Sequence, residues 1–403
     1  MKVLKGKSGI TVLFRPMKTG LVDFKYYVKC GAADESPAEW GYCHALEHMV
    51  FSGTEKRTWL QINRDWEKLG TYYNAHTYHD KTTYEATGLK KHWRESYEIL
   101  ADMFYNCQFP EERWEEIEKG AVVSEIQEDL DDEGTVLEEE LYGRALGERY
   151  HSIVGGVDTI RKATIQDLTR FYDEYYHGDN VFLLVTGDLT ESQLMGAVNR
   201  YDRLHLGTTK RKKFRTNFNY SPFKMISSDA EQAHIHTLMP LAMPRLYRTR
   251  VALGLGVNCL SQYLFEELRE KRGLCYSAGA SLYWDLPGNL FLQTKAATDE
   301  ERLAKTQRAL RDALNNFPYN GLSAERIRNM KMSEVYTTTS EAESIDTSAA
   351  WLWDAWGEET LKEDPYDLHL RTVEKLTVGS IRSTTRLHVI GKDKLGKLVC
   401  EKL

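Results

Sequence analysis

The stretch His44-Ala45-Leu46-Glu47-His48 (HALEH) places two histidines four positions apart, with a glutamate directly before the second one. On an α-helix, side chains at positions i and i+4 lie on one face, so both imidazoles can reach a single metal ion. Zinc accepts such nitrogen ligands. A chain of this composition contains the pattern by chance in roughly one case in twenty, so the rest of the sequence has to supply the missing parts of a site.

A catalytic zinc site takes three protein ligands and keeps one position for water. The segment 111–132 has helical periodicity and offers Glu118, Glu125 and Glu128 as candidates for the third ligand. Glu118 and Glu125 are seven residues apart and therefore lie on nearly the same helix face, but the spacing does not decide which glutamate binds the ion. We assign Glu47 the role of general base, because three neighbouring positions on one helix cannot all reach the ion with good geometry.

The composition is that of a globular protein with more than one domain. Of the 403 residues, 41% are apolar and 28% are charged, and a length prior of about 150 residues per domain predicts two or three domains. The formal net charge of −7 indicates neither a nucleic-acid-binding surface nor a strongly acidic tail. The one basic cluster, residues 210–215, is predicted to be a solvated linker.

No segment predicts export or membrane insertion. Residues 1–14 lack the continuous apolar core and the cleavage site of a signal peptide, and no run approaches the roughly 18 apolar residues of a membrane span. The six cysteines are scattered without a CxxC pair, which argues against a disulfide framework or a cysteine zinc knuckle. We therefore expect a cytoplasmic protein that binds neither membranes nor nucleic acids.

The order of predicted elements repeats between the two halves of the chain, and each half reads as strand, helix, hairpin, helix, helix. In the first half these segments are residues 21–29, 40–51, 71–88, 91–106 and 111–130, with an additional helix at 58–70 that ends at Gly70 and an additional strand at 180–188; in the second half they are residues 233–241, 251–273, 274–296, 299–316 and 323–345. The repeat predicts an α+β protein with an N-terminal zinc-binding domain (1–206), a linker (207–222) and a homologous C-terminal domain (223–403).

The segment GYCHALEHMVFSGT (residues 41–54) resembles the zinc-site signature of the inverzincin metallopeptidases, the insulinase and pitrilysin family that includes the mitochondrial processing peptidases. In that family a glutamate ligand follows the second histidine after about 76 residues, and another glutamate lies seven positions before it. Here 76 residues separate His48 from Glu125, and Glu118 occupies the earlier position. The resemblance implies that His44, His48 and Glu125 hold one Zn²⁺ per chain and that Glu118 orients a ligand.

The resemblance extends over nearly the whole chain. YYNAHTYHDKTTY is similar to the substrate-binding hairpin of the family, which implies that Asn74 and Ala75 bind the peptide. LFEELREKRGLCYSAGA is similar to the second-domain segment that carries an arginine and a tyrosine, which are Arg269 and Tyr276 in this chain.

A few residues stand outside the family pattern. Thr71 stands where a second glycine is common, and Cys43 stands where alanine is common. A thiol next to a metal ligand could make the enzyme sensitive to oxidation.

We expect His76, His79 and His151, which lie near the motifs in the sequence, to be surface groups rather than part of the site.

The resemblance implies two homologous domains, each an antiparallel-rich sheet with helices packed on it, which together form half of a clamshell. It implies a zinc endopeptidase or oligopeptidase whose catalytic set is Glu47, Glu118 and Tyr276. The ion polarises the scissile carbonyl and activates water, and Glu47 carries the proton to the leaving amine. Tyr276 donates a hydrogen bond to the oxyanion, and Arg269 holds the peptide backbone or its terminal carboxylate. Short members of the family pair, so we expect a homodimer with composite sites around a closed chamber that admits peptides or unfolded segments.

Two other functions remain open. A catalytically silent relative serves as a peptide-binding or assembly subunit, although such relatives typically lose part of the zinc set and every position is present here. A chain that is active only as one half of an obligate heteromer is the second, and the presence of Arg269 and Tyr276 argues against it. The sequence gives neither the cleavage preference nor the natural substrate.

Overall fold

The structure is a computed structural model that describes residues 1–147, 150–178, 180–203, 223–225, 233–283, 290–345, 363–389 and 399–402. The chain divides into two compact units, of which the first consists of Met1–Asp129, His151–Lys213 and Ser340–Tyr366 and the second of Leu130–Tyr150, Phe214–Thr339 and Asp367–Leu403. The predicted linker 207–222 lies outside the described residues, so the predicted domain boundaries stay a prediction. Among the described residues, no helix combines the length and the apolar character needed to cross a membrane.

The first unit contains a six-stranded sheet. Its strands are β1 (Lys2–Lys5), β2 (Thr11–Pro16), β3 (Leu21–Val28), β4 (Tyr72–Thr77), β5 (Thr82–Leu89) and β6 (Val181–Gly187). They are arranged in the order β1-β2-β6-β3-β5-β4, and every neighbouring pair is antiparallel except β2 and β6. Within the described sheet, β4 pairs with β5 alone and therefore forms an edge.

The described part of residues 42–201 contains nine α-helices. They are α1 (Tyr42–Val50), α2 (Trp59–Leu69), α3 (Trp93–Asn106), α4 (Glu111–Arg113), α5 (Lys119–Asp131), α6 (Glu133–Leu146), α7 (Val157–Lys162), α8 (Ile165–Tyr175) and α9 (Glu191–Tyr201). A π-helical segment, Trp114–Glu118, joins α4 to α5. Short 3₁₀ turns occur at Ala32–Asp34 and Lys90–His92. The helix predicted to end at Gly70 does so, because Gly70 takes the left-handed conformation (φ 59°) that glycine adopts without strain.

The core of the first unit lies between this sheet and its helices. Tyr26 on β3 stacks on Phe104 of α3 with ring centroids 4.4 Å apart, and Tyr97 of the same helix packs against Phe24 at 4.9 Å. Leu46 on α1 is fully buried in the same cluster. Burial of a side chain of this size contributes about 1.5–3 kcal/mol. The apolar face of α1 therefore holds that helix on the sheet.

The second unit contains a five-stranded sheet in the order β7-β11-β8-β10-β9. Its strands are β7 (Phe223–Met225), β8 (Ala233–Leu241), β9 (Ser277–Tyr283), β10 (Leu290–Thr298) and β11 (Val399–Lys402), of which only β7 and β11 pair in parallel. Its helices are α10 (Tyr247–Phe265), α11 (Leu303–Asn316), α12 (Ala324–Glu343), α13 (Pro365–Lys375) and α14 (Val378–Val389), with π-helical segments at Glu266–Glu270 and Phe317–Gly321 and a 3₁₀ turn at Glu300–Arg302.

The two sheets have the same topology. If β1 is set aside, β2-β6-β3-β5-β4 corresponds strand for strand to β7-β11-β8-β10-β9, including the single parallel pair in each. The predicted α+β class, with a repeated order of strand, helix and hairpin, is confirmed. One helix departs from the simple repeat: α6 packs with the second unit, where Leu137 and Leu141 join Leu238 and Phe291 in one apolar cluster.

Two of the three histidines predicted to be surface groups are buried. His79 and His151 are each 8% exposed, so that prediction was wrong for them. The Ala33 backbone N–H donates to the His79 carbonyl at 2.9 Å, and a His151 ring nitrogen (Nε2) lies 2.8 Å from the Ala32 carbonyl oxygen. The loop after β3 therefore closes over the hairpin tip. Gly31 allows this approach, because a Cβ there would lie 2.2 Å from the Tyr78 carbonyl oxygen.

Candidate metal centre

The N-terminus of α1 is fixed by a buried carboxylate. Glu35 accepts hydrogen bonds from the backbone N–H groups of Gly41 and Cys43, at 2.7 and 2.6 Å. Its oxygens satisfy N–H groups that have no partner within the helix, while burial raises the pKa of the Glu35 carboxyl to about 8 in spite of these hydrogen bonds. Gly41 begins the helix in the left-handed conformation (φ 98°). These contacts set the position from which the HALEH side chains project.

The structure brings His44, His48 and Glu125 together. One ligand atom from each lies within 4.8 Å of the others, and in the part of the chain that the structure describes this is the one group of three or more such residues able to hold a metal ion. A Glu125 carboxylate oxygen (Oε2) lies 3.1 Å from His44 Nε2, and the other lies 3.5 Å from His48 Nε2. Tetrahedral zinc ligands at about 2.0–2.2 Å from the ion lie about 3.3–3.6 Å apart, so the two separations are compatible with a zinc site.

The helix that carries Glu125 is not regular. Its π-helical segment, Trp114–Glu118, lies seven residues before the ligand. Trp114 is fully buried, and its indole N–H donates to the Ala163 carbonyl at 3.0 Å, which anchors the segment. π-Helical turns inside α-helices are frequent at functional sites, because the extra residue changes the direction of the side chains that follow. Of the glutamates that the spacing left open, Glu125 lies at the two histidines, and the exposed Glu128 is not in the group.

Glu118 lies behind His48 rather than at the ligand atoms. One of its carboxylate oxygens (Oε2) is 3.3 Å from His48 Nδ1, and the other accepts from Arg113 Nε at 2.8 Å and from Arg113 Nη2 at 2.5 Å. Burial alone raises the pKa of the Glu118 carboxyl, but the hydrogen bonds from His48 and Arg113 lower it below its usual value overall. Glu118 is therefore a negative charge held against the imidazole of a ligand.

The charges of the site favour a cation. Burial lowers the pKa of His48, but its hydrogen bonds with Glu118 and Glu125 outweigh this and raise it to about 9. Hydrogen bonds with His44 and His48 hold the pKa of Glu125 well below its usual value. Two ionised carboxylates thus surround the imidazoles and stabilise a positive charge between them, whether this is a proton or a metal ion.

Glu47 points into the same cleft, which has a volume of about 410 Å³ and is also lined by Asn74 and Ala75 of β4. The Thr77 hydroxyl, at the end of β4, donates to the Glu47 carboxylate (Oε2) at 2.5 Å. One oxygen of this carboxylate is thereby fixed, and the other is available for a proton. The predicted base and the predicted substrate-binding strand therefore share one cleft with the three ligands.

The edge strand β4 presents its polar side chains close together. The Asn74 amide donates to the Tyr72 hydroxyl at 3.1 Å and lies 3.4 Å from a ring nitrogen of His76. The Asn74 side-chain oxygen also accepts from the Ala75 backbone N–H at 3.0 Å. Ala75 itself is 3% exposed. Tyr73, Asn74 and Ala75 of this strand all line the cleft.

Arg269 and Tyr276 belong to the second unit. The Arg269 guanidinium stacks over the Phe265 ring at 4.9 Å and keeps half of its side chain exposed. The Tyr276 side chain is exposed, and its hydroxyl donates to Asp299 at 2.7 Å. The two residues stand on either side of Gly273, which takes the left-handed conformation (φ 57°) before β9. Both side chains are therefore at the surface of the second unit.

Sequence reasoning missed Thr77 and Arg113. Thr77 stands three residues after Asn74 in the hairpin motif, so the motif contained the signal although we assigned it no role. Arg113 is five residues before Glu118, and this spacing alone does not bring two side chains together on a regular helix. The π-helical segment between them is what allows the contact.

The Cys43 thiol is less reactive than its position next to His44 in the sequence indicates. Its sulfur lies 3.6 Å from that of Cys30, and both residues are buried. Burial raises the pKa of the Cys43 thiol well above its ordinary value, and the adjacent Cys30 adds to this effect. Because the thiolate is the reactive form, this environment protects Cys43 rather than activating it.

Two family models match the chain. The model for insulinase (peptidase family M16) matches residues 17–153, and the model for the peptidase M16 inactive domain matches residues 162–334. Among relatives, an uncharacterized zinc protease of Rickettsia bellii is 29% identical over 298 residues, which are 70% of this chain and 70% of the relative. The beta subunit of the mitochondrial-processing peptidase of Homo sapiens is 28% identical over 194 residues, 47% of this chain and 39% of the subunit.

The fold matches solved structures over its whole length. A peptidase M16 inactive domain from Pseudomonas fluorescens superimposes with a TM-score of 0.87 at 19% identity, covering 100% of this chain and 97% of that one. A protease from Helicobacter pylori gives a TM-score of 0.88 at 18% identity, with 100% and 99% coverage. The periplasmic protease PqqL from Escherichia coli gives 0.82 at 17% identity, covering 100% of this chain and 47% of PqqL.

Replacement of Glu125 by Ala is expected to abolish tight zinc binding, because it removes one of three ligands. The matched control is Glu128→Ala, an exposed glutamate on the same helix, which should bind one zinc per chain as the unaltered protein does. Metal content after dialysis, measured by mass spectrometry, distinguishes them. Retention of tightly bound zinc by Glu125→Ala would contradict the assignment.

Proposed function

Because the chain belongs to the insulinase family of peptidases (peptidase family M16), we propose that it is a zinc-dependent endopeptidase or oligopeptidase that hydrolyses peptides or unfolded segments. The observation that carries the proposal is the cluster of His44, His48 and Glu125 within 4.8 Å, with Glu47 in the same cleft. Relatives named as zinc proteases support the metal and the reaction class.

The residues of the cleft have distinct tasks in this reaction. A zinc ion held by His44, His48 and Glu125 would supply Lewis acidity, which polarises a peptide carbonyl and makes water acidic near neutral pH. Glu47 takes a proton from the attacking water and gives it to the leaving amine, so that the peptide bond breaks to a carboxylic acid and an amine, which are a carboxylate and an ammonium at neutral pH. Thr77 keeps one Glu47 oxygen hydrogen-bonded and so fixes the orientation of the other.

Replacement of Glu47 by Gln removes the proton acceptor with little change in shape and should lower kcat by about 10²–10⁴-fold. Zinc content should stay at the level of the unaltered chain, because Glu47 is not a ligand. Glu128→Gln is the control for loss of a nearby charge and should keep full activity. Hydrolysis of a mixed peptide library, followed by mass spectrometry with and without chelator, measures activity and preference together. Undiminished hydrolysis by zinc-loaded Glu47→Gln would sink the assignment.

We propose that the peptide adds to the sheet as a strand beside β4. An edge strand has backbone N–H and C=O groups without a partner in the sheet, and an extended peptide can bind them in β-augmentation. β4 is such an edge, and the residues Asn74 and Ala75 line the metal cleft. A peptide bound in this way would run past the three candidate ligands.

An Asn74→Ala variant should raise KM or lower kcat/KM by about fivefold or more, since a hydrogen-bonding group of about 1 kcal/mol is lost from the strand-binding edge. Zinc affinity should not change, because Asn74 contacts none of the three ligands. Steady-state kinetics on one peptide identified from the library gives both constants. Unchanged KM and kcat/KM would count against strand addition at this edge.

We propose further that Arg269 and Tyr276 complete the site of a second chain in a homodimer. Tyr276 has one hydroxyl proton, now donated to Asp299, so it must exchange that partner to donate to an oxyanion. Arg269 offers several N–H groups to a peptide carbonyl or carboxylate. The match to 47% of PqqL supports pairing of two such lengths of chain.

A closed chamber between two paired chains would admit peptides and exclude folded proteins. Residence in the cytoplasm remains a prediction.

Mixing two inactive chains tests the composite site. Glu47→Gln and Tyr276→Phe should each be poorly active as homodimers. In equal co-expression, half of the dimers are mixed, and one of the two sites in each mixed dimer has both residues intact. Activity should therefore recover to about a quarter of the unaltered level. Absence of recovery in mixed dimers purified through two different tags would contradict the composite arrangement, and an active monomer in light scattering would contradict the dimer.

A further inference from the structure

We propose that Arg113 is a positioning residue of the metal centre, which sets the zinc affinity by fixing Glu118 and, through Glu118, the imidazole of His48. This inference rests on the proposed zinc site formed by His44, His48 and Glu125. It assigns a task to a residue that does not touch the ligand atoms of that site.

The hydrogen bonds of Glu118 decide which ring nitrogen of a neutral His48 carries the proton. Arg113 places two N–H donors, Nε at 2.8 Å and Nη2 at 2.5 Å, on the same carboxylate oxygen. The second oxygen is left to His48 Nδ1 at 3.3 Å. An ionised carboxylate only accepts hydrogen bonds, so Nδ1 of a neutral His48 must carry the proton. The lone pair then lies on Nε2, the nitrogen that faces Glu125.

Arg113 is itself held from a second side. Its guanidinium carbon lies 4.5 Å from the centroid of the Trp59 ring, within the range of a cation–π contact. Trp59 is the first residue of α2, and its position is fixed by the Thr58 and Gln61 capping box. The Arg113 side chain is 19% exposed. The aromatic ring on one side and the carboxylate on the other leave the guanidinium little freedom.

This arrangement differs from an ordinary surface ion pair, which contributes about 0–1 kcal/mol and is easily replaced by water. Glu118 is 9% exposed and shares its charge between Arg113 and a ligand imidazole. Without Arg113, one oxygen of a nearly buried carboxylate loses both donors, and the carboxylate is free to rotate away from Nδ1. His48 can then adopt the other tautomer, with the proton on Nε2, which cannot bind zinc.

The test measures zinc affinity rather than peptide hydrolysis. Arg113→Ala should weaken zinc binding about 10–100-fold, as is typical when a group that orients a ligand is lost. Arg113→Lys keeps the charge but not the two-pronged donor, so it should restore affinity only in part. Competition with a chelator of known affinity gives Kd. The absorption bands of the cobalt-substituted protein report any change in ligand geometry.

A matched control exists in the second unit. Arg326 stacks over the Tyr263 ring at 5.4 Å and pairs with Glu266, but it belongs to no metal site. Arg326→Ala loses the same kinds of contact and should leave both the zinc Kd and the cobalt spectrum unchanged. A similar loss of affinity in both variants would mean that the effect is one of general stability, and it would overturn the proposal.

A second variant covers the case in which Arg113→Ala folds poorly. Glu118→Gln should weaken zinc binding to a similar degree. Adding Arg113→Ala to this variant should cause little further loss of affinity, because Arg113 acts on His48 through Glu118. Additive losses, or an unchanged Kd in folded Arg113→Ala, would overturn the proposal. Zinc binding that depends on Arg113 in a chain that hydrolyses no peptide supports this inference and contradicts the proposed function alone. A chain that binds no zinc overturns both.

Discussion

The contact of Glu125 with both His44 and His48 is the interaction on which the candidate site depends. It joins α1 to α5, and 76 residues, which include α2, β4, β5 and α3, separate His48 from Glu125 in the sequence. Bringing two histidines and a carboxylate together costs desolvation, which their mutual hydrogen bonds offset. The fold supplies the approach by burying the apolar face of α1, by fixing its first turn on Glu35, and by anchoring the second helix through Trp114.

Around the three candidate ligands, further hydrogen bonds orient His48 and the neighbouring Glu47. Glu118 and Arg113 support His48, and Thr77 supports Glu47. Groups that contact ligands in this way fix both the direction of a ring and the nitrogen that carries its proton. The candidate cleft is therefore built from the sheet edge, two helices and a π-helical turn.

The two sheets share one topology, but their corresponding edge strands lie beside different side chains. The first sheet presents its edge strand β4 to the metal cleft, whereas the corresponding strand β9 of the second sheet follows the exposed Tyr276. Gly70 and Gly273 occupy equivalent places, each left-handed at the end of a helix before the edge strand. Among the described residues, the candidate metal ligands occur only in the first unit. The duplication thus preserves the turn while the side chains around it differ.

The sequence by itself determined the α+β class, the repeated element order, and the helix that carries His44, Glu47 and His48, because periodicity and glycine caps act over short distances. The choice of Glu125 as third ligand came from resemblance, since helical spacing admitted Glu118 and Glu128 as well. Only the tertiary structure decided that Glu118 backs His48, that Arg113 reaches it across a π-helical turn, that His79 and His151 are buried, and that α6 packs with the second unit. These contacts join residues distant in sequence or displaced by an irregular turn, and no local pattern encodes them.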